Sequence, residues 1–132
     1  MKQIDFTDQD QGKILSCLGL DPNTANMRWV QPEGKEEFSE LLVGGTPSKS
    51  DDLYISSWSL AALIKVMPSY IPCRDKLSPY GYCLSFSKHS VMYRSQDSNI
   101  VRVCFSREKL IDAIFEMVCW LLDHKYKMDY EL

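Results

Sequence analysis

The sequence predicts a small α+β protein in which a three-stranded antiparallel meander is packed by two main helices, with a looser helical segment before them. Two observations lead to this prediction. Apolar residues recur at helical spacing over residues 58–67 and 107–124. Between these segments, residues 80–105 alternate apolar and polar side chains with the two-residue period of half-buried strands. The 132 residues suit a single domain, with a looser part over 1–52 and a compact core over 53–132.

The N-terminal part is predicted to hold a helix, a strand and a second short helix. Thr7 is expected to cap a helix over residues 8–18. Residues 27–31 have the composition of a short strand, and the apolar spacing in residues 35–43 favours a helix. Residues 44–52 contain two glycines, one proline and no apolar side chain, which predicts the most mobile internal loop.

The compact core begins with the helix over residues 58–67. Ser56 or Ser57 is expected to cap it, and Pro68 ends it because the proline ring cannot continue a helix. Few of its side chains are polar, so we expect it to be mostly buried. Residues 69–79, with two prolines, are predicted to be a connector.

The strands follow, and then the final helix. Alternation divides the strands into a face that packs against the helices and a face that points away from them. Ser106 is expected to cap the helix over residues 107–124, which carries a broad apolar stripe. The side chains predicted to face the helices are Tyr80, Tyr82, Leu84, Phe86, Val91, Tyr93, Val101, Val103 and Phe105.

Composition excludes several classes of protein. Apolar residues make up 45% and charged residues 25%, which argues against a disordered chain or a fibre. The net charge of −3 lacks the basic balance that is typical of nucleic-acid-binding domains. The longest apolar run, residues 117–122, is too short for a membrane span, and no signal peptide opens the sequence. The five cysteines form no Cys-x-x-Cys pair, so we predict a cytoplasmic protein with reduced thiols and no membrane, metal or cofactor.

Two groups of residues have the chemistry of catalysis or metal binding, and both have a simpler explanation. Glu108, Asp112 and Glu116 stand one helical turn apart, but they lie opposite an apolar stripe, where a solvated face is expected. Cys83 and His89 could approach across a hairpin, yet nothing near Cys83 indicates an activated thiol. We therefore predict no catalytic residue and a protein that is not an enzyme.

The favoured function is binding of another protein or of a second copy. Met92, Ile100 and Cys104 are predicted to lie on the sheet face away from the helices. Trp120 stands at the edge of the apolar stripe of the final helix, and tryptophan is frequent at interfaces. These four residues form the predicted interface, and a homodimer is one form that it can take.

The alternative is a regulator that binds nucleic acid. Lys88, Arg94 and Arg102 lie on or near the predicted sheet together with several tyrosines. Basic and aromatic side chains on a sheet can hold phosphates and stack bases. The overall acidic balance and the absence of a known RNA-binding signature make this the less favoured function.

The order of the segments resembles that of a known family. Residues 18–27, residues 58–68, the tyrosine-rich strands and residues 110–122 carry the resemblance. Together they resemble a family of small uncharacterised proteins from gut anaerobic bacteria, their phages and integrated mobile elements. The resemblance implies an accessory protein of a mobile element in a bacterial cytoplasm, and it supplies no site residues.

Overall fold

A computed structural model describes residues 5–31, 40–43, 54–74, 81–96 and 100–130 of the chain. These residues form three α-helices, one short 3-10 helix and seven strands, which are arranged in two antiparallel sheets. The mixed α+β class is therefore confirmed. Among the described helices, none combines the length and the apolar character that a transmembrane span requires.

The chain divides into two compact units, Met1–Leu63 and Ile64–Leu132, and each has its own sheet. The first unit contains α1 (Gln9–Cys17), the 3-10 helix (Pro22–Thr24), β1 (Met27–Val30), β2 (Glu40–Val43) and β3 (Tyr54–Ser57). Helix α2 (Leu60–Val66) spans the boundary between the units. The second unit contains β4 (Tyr70–Ile71), β5 (Tyr82–Phe86), β6 (Ser90–Arg94), β7 (Val101–Ser106) and α3 (Leu110–Asp123).

The first sheet has the order β2–β1–β3, and it corrects two predictions. Residues 40–43, which we predicted to end a helix, are a strand that pairs with β1. A short apolar run such as Leu41–Val43 is compatible with a helix or with a strand. Its pairing with β1 makes it a strand. Strand β3 was not predicted at all, because its two serines have the composition of helix caps. The predicted loop 44–52 lies outside the described residues.

The first helix is capped by a different residue from the one predicted. The Asp8 carboxylate accepts the Gln11 N–H at 2.8 Å, and the Gln11 side chain accepts the Asp8 N–H at 3.0 Å, which completes a capping box. Thr7 is instead fully buried, and its hydroxyl accepts the Trp58 N–H at 3.0 Å. The Thr7 N–H donates in turn to the Trp58 carbonyl at 2.9 Å. Thr7 therefore joins the chain before α1 to the end of β3.

Helix α1 packs closely on β3 at a glycine. A Cβ atom on Gly12 would overlap the carbonyl oxygen of Ser56, so no side chain fits there. Beside this contact Trp58 is fully buried, as predicted, and its indole N–H donates to the Thr24 hydroxyl at 2.9 Å. The core of the first unit includes this indole ring together with the buried side chains of Leu15, Leu20 and Ile55.

Helix α2 is shorter and less buried than predicted. Its cap is Ser59, whose hydroxyl accepts the Ala62 N–H at 3.1 Å, so neither serine of β3 serves as the cap. Leu63 and Val66 are buried, whereas Ala61 is exposed. The prediction failed because alanine is compatible with either a buried or an exposed position on a helix.

The second sheet has the order β4–β5–β6–β7, and all its pairs are antiparallel. Strands β5, β6 and β7 follow one another as antiparallel neighbours, but the predicted three-stranded sheet is not fully matched, because β4 adds a fourth strand within the predicted connector 69–79. Helix α3 packs over β6 and β7. Tyr82, Val91 and Tyr93 are fully buried, as the predicted alternation requires, whereas Phe86, which was also predicted to face the helices, is 49% exposed at the end of β5. Six side chains of α3 are buried: Ile111, Ala113, Ile114, Met117, Val118 and Leu121.

The start of α3 differs from the prediction. Ser106 belongs to β7 and does not cap the helix. Lys109 occupies the N-cap position, and its side chain makes no capping hydrogen bond. The predicted helix was therefore three residues too long at this end, because a serine before an apolar stripe is the usual sequence sign of a cap.

We expect Gly12→Ala to destabilise the first unit by about 2–3 kcal/mol, because the added methyl group must push α1 away from β3. At an exposed helical site the same change is stabilising by about 0.5–1 kcal/mol. The free energy of unfolding in urea gives the measurement, and Lys13→Ala on the exposed face of α1 is the control. A stabilised Gly12→Ala variant would contradict the close contact.

We expect Tyr93→Phe to cost about 1–2 kcal/mol, because the buried Tyr93 hydroxyl donates to the Pro68 carbonyl at 2.7 Å. Burial, and after it the negative charge of Asp129, raises the pKa of Tyr93 well above its usual range. The stability that depends on the neutral hydroxyl is thus complete below the unfolded-state pKa of about 10 and is lost as the pH rises further.

Measuring the free energy of unfolding between about pH 8 and pH 11 tests this assignment. The wild-type protein should lose stability above about pH 10 more steeply than Tyr93→Phe does. Equal slopes in the two proteins would show that the Tyr93 hydroxyl is not held neutral by its surroundings.

Candidate interaction surface

The side of the second sheet that points away from α3 carries an uncharged row of side chains. Ser85 lies opposite Met92, and Met92 lies opposite Cys104, so the three cross β5, β6 and β7. Ser85 and Met92 are half-buried and Cys104 is exposed. We call these three residues the open face. The structure thus places two of the predicted interface residues, Met92 and Cys104, directly beside each other.

The other predicted strand residue, Ile100, lies just before β7. It is half-buried, and its carbonyl accepts the Ser95 N–H at 2.8 Å. The register of β6 and β7 shifts beside Arg94, which pairs with Val101 and leaves Arg102 as the extra residue. Val101 is consequently 48% exposed, and the prediction that it faces the helices is wrong.

Trp120 lies on α3 and belongs to an aromatic cluster. Its ring stacks on His124, with ring centroids 4.4 Å apart, and on Tyr126, with centroids 5.2 Å apart. The guanidinium carbon of Arg102 lies 5.3 Å from the centroid of the same indole ring. Trp120 is therefore not part of the open face. Its contact with β7 is the one with the Arg102 guanidinium.

The three basic residues of the nucleic-acid alternative do not form one patch. Lys88 is exposed in the turn between β5 and β6, and Arg94 is exposed at the opposite end of β6. Five strand residues separate these ends by roughly 13 Å. Arg102 directs its guanidinium over Trp120. Arg94 and Arg102 are therefore neighbours at the register shift, whereas Lys88 lies apart from both.

The candidate catalytic groups are also apart from one another. Cys83 pairs with Arg94 near one end of the β5–β6 hairpin, whereas His89 lies in the turn at the other end. The Nδ1 atom of His89 is 2.9 Å from the carbonyl oxygen of Glu108. The structure therefore does not bring the thiol and the imidazole together.

Of the three acidic residues predicted to stand in a row, Asp112 and Glu116 lie on α3, where Glu116 makes an ion pair and affects the half-buried thiol of Cys119. Arg107 contacts the Glu116 carboxylate at 2.7 Å. Burial, with a further effect of Glu116, raises the pKa of the Cys119 thiol to about 11, so this thiol stays protonated at neutral pH. Within the described part of the chain, no three histidine, cysteine or acidic side chains are placed to hold a metal ion.

The end of α3 forms a basic groove that the sequence did not predict. The groove has a volume of about 470 Å³ and is lined in part by Ile71, Arg74 and Met128. Arg74 donates to the carbonyl oxygens of His124 at 2.6 Å and Lys125 at 3.2 Å. Arg74 thereby supplies hydrogen-bond donors to carbonyl groups at the end of the helix, so its role here is structural.

The chain leaves α3 through a residue in the left-handed conformation. Lys125 has a φ of 59°. Its N–H donates to the Leu122 carbonyl at 3.1 Å, and the Tyr126 N–H donates to the Leu121 carbonyl at 3.0 Å. These two bonds are the Schellman motif, in which glycine usually occupies the position of Lys125.

Comparison with known proteins assigns no family and no function to this chain. No protein-family model, curated protein or solved structure matches the chain. The resemblance carried by residues 18–27, 58–68 and 110–122 therefore stays a prediction. The case for a function depends on the contacts of the second sheet.

We expect Lys125→Gly to stabilise the protein by about 0.5–1 kcal/mol, because glycine adopts the left-handed conformation without the steric cost of a Cβ atom. Thermal or urea unfolding provides the measurement. The matched control is Lys127→Gly. Lys127 does not have the left-handed conformation of Lys125, so this change should not increase the free energy of unfolding. Destabilisation of Lys125→Gly would show that the lysine side chain contributes more than its backbone strain costs.

Proposed function

We propose that the protein is a non-enzymatic interaction module that binds another protein chain, or a second copy of itself, through the open face and the adjoining edge of β7. The observation that carries the proposal is the row of Ser85, Met92 and Cys104 on the side of the sheet away from α3. An antiparallel sheet covered by a helix on one side usually presents polar, solvated residues on the other.

The composition of the open face supports this function. Its three residues carry no charge, and charged side chains are depleted at the centres of protein interfaces. Arg94 and Lys88 are exposed at the two ends of β6 and stand at the margin of this surface. An uncharged centre with charges at its margin is the usual distribution at a protein–protein interface.

The separation of the candidate catalytic groups favours binding over catalysis. A nucleophilic pair requires its thiol and base within hydrogen-bond reach, and Cys83 and His89 lie at opposite ends of their hairpin. All five cysteines are free thiols, as a reducing compartment favours. Together with the family resemblance, this supports an accessory protein of a mobile element in a bacterial cytoplasm.

We expect Met92→Glu to abolish capture of the bound protein, because a carboxylate at the centre of an apolar contact is desolvated without a partner. The tagged chain is incubated with host-cell lysate and with an untagged copy, after nuclease treatment and at low and high salt. A protein held by the wild-type chain should be reduced at least about tenfold with Met92→Glu. Circular dichroism checks that the variant is folded.

The matched control is Ser16→Glu, which adds the same charge at an exposed position of α1 in the first unit. It should capture as much protein as the wild-type chain. Capture that disappears with nuclease or at high salt would contradict the proposal and favour nucleic-acid binding, since phosphate contacts weaken steeply with salt. Lys88→Glu and Arg94→Glu would then be the variants that lose binding.

A further inference from the structure

The basic groove at the end of α3 is lined by two stretches of chain within the second unit. One stretch contains β4, and the other, residues 125–129, follows α3. The Asp129 N–H donates to the Val66 carbonyl at 2.9 Å, and Arg74 donates to the Lys125 carbonyl at 3.2 Å. These bonds join the two stretches at both ends, so the groove is formed before any ligand binds, as most binding sites are.

The floor of the groove is apolar and its rim is charged. The buried residues that line it are all apolar or aromatic: Pro68, Ile71, Tyr126 and Met128. Its charged lining residues are all exposed: Arg74, Lys125, Lys127 and Asp129. Three positive charges and one negative charge give the rim a balance of +2, in a chain whose net charge is −3. The groove is therefore complementary to a ligand that combines negative charge with an apolar group.

Lys125 and Lys127 carry the positive charge that the groove can offer to a ligand. The guanidinium of Arg74 donates to two carbonyl groups at the end of α3 and lies 3.7 Å from the centroid of the Tyr126 ring. Within the described part of the chain, neither lysine makes an ion pair. Asp129 reduces the positive potential of the rim, but a single carboxylate does not neutralise both ammonium groups.

The backbone of Lys125 gives a second reason to place a ligand here. Its φ of 59° lies in the left-handed region, at a position that glycine usually occupies. A side chain in this conformation has a steric cost, and such costs are often retained at binding sites. A cation after the last turn also interacts favourably with the helix dipole. Stability and binding therefore have to be measured separately for this residue.

The openness of the groove favours an extended ligand over a small molecule. Sites for small molecules bury roughly 70–90% of the ligand surface. Here most of the lining residues are exposed, and they include Pro72 and Tyr70, which is 51% exposed. A peptide segment can place a few side chains in such a groove and continue past both ends.

We propose that this groove binds an acidic segment of a partner protein, with carboxylates of the segment at Lys125 and Lys127 and one apolar side chain on the floor beside Ile71 and Met128. The apolar side chain supplies affinity through burial, and the carboxylates select the segment by charge. This site goes beyond the proposed function, because it lies at the end of α3 and does not use the open face.

A peptide array probed with the full chain tests the chemistry of the segment. Each peptide carries one leucine, methionine, phenylalanine or tyrosine among aspartates and glutamates. A paired peptide replaces the acids with asparagine and glutamine. The chain should bind acidic peptides and not their amide pairs, because only carboxylates form charge-assisted hydrogen bonds with the two ammonium groups. The acidic peptide that binds best is then labelled with fluorescein and titrated by anisotropy.

Lys125→Gly should bind the labelled peptide about tenfold more weakly, because it loses one hydrogen bond between charged groups. The same change is expected to raise the free energy of unfolding, so weaker binding cannot result from misfolding. The matched control is Lys109→Gly, which removes an exposed lysine at the other end of α3, where glycine is tolerated as an N-cap. This control should bind the peptide as tightly as the wild-type chain.

Two variants of Lys127 separate its charge from its bulk. Lys127→Gln keeps a long polar side chain without the charge, and it should also bind about tenfold more weakly. Lys127→Arg keeps the charge and should retain most of the binding. Equal binding by these two variants would show that the charge of Lys127 does not contact the peptide, which would overturn the assignment.

The inference is also overturned if no acidic peptide binds, if the amide pairs bind equally well, or if Lys125→Gly binds like the wild-type chain. A single-stranded oligonucleotide that binds more tightly than every acidic peptide would overturn it too, since the lysines would then serve phosphate groups. The assay uses neither Met92 nor captured protein. Its failure therefore leaves the proposed function standing, and a failure of capture through Met92 leaves the groove to be judged by the peptides.

Discussion

The burial of α3 against β6 and β7 is the contact on which the second unit depends. Six side chains of the helix are buried, and Val91 and Tyr93 of β6 are fully buried. Each large apolar side chain buried in this way stabilises by about 1.5–3 kcal/mol, whereas an exposed ion pair such as Arg107–Glu116 contributes about 0.2–1 kcal/mol. Since α3 covers one side of the second sheet, a partner that contacts this sheet directly must use the other side or an edge.

Local pattern predicts the long, regular elements of this chain and the short strand β1, but it fails for the other short strands. Helix α3 and strands β5 to β7 have apolar periods that extend over many residues, so their type was predicted correctly. Strands β2, β3 and β4 have four, four and two residues. Each depends on a partner strand that the local sequence does not reveal, and pairing overrides the weak local preference.

The sequence likewise predicts part of the candidate surface and fails for the rest. Alternation alone places Met92 and Cys104 on one face, because both lie in regular strand. It fails at Val101 and Arg102, because a single extra residue reverses the face of every side chain beyond it. The hydrogen bond from Arg74 to the carbonyl of His124 was not predictable, because the two residues are fifty positions apart in the sequence.

An aromatic cluster at the end of α3 holds the charged side chain of β7. Arg74 lies 3.7 Å from the Tyr126 ring centroid, Tyr126 stacks on Trp120, and Arg102 lies over the same indole ring. A cation–π contact at an exposed site contributes about 0.5–1 kcal/mol, so it stabilises this position of the Arg102 guanidinium modestly. This contact places the guanidinium of Arg102, the single charged residue of β7, beside α3. A contact that links the final helix to the last strand thus depends on residues that the local sequence pattern does not bring together.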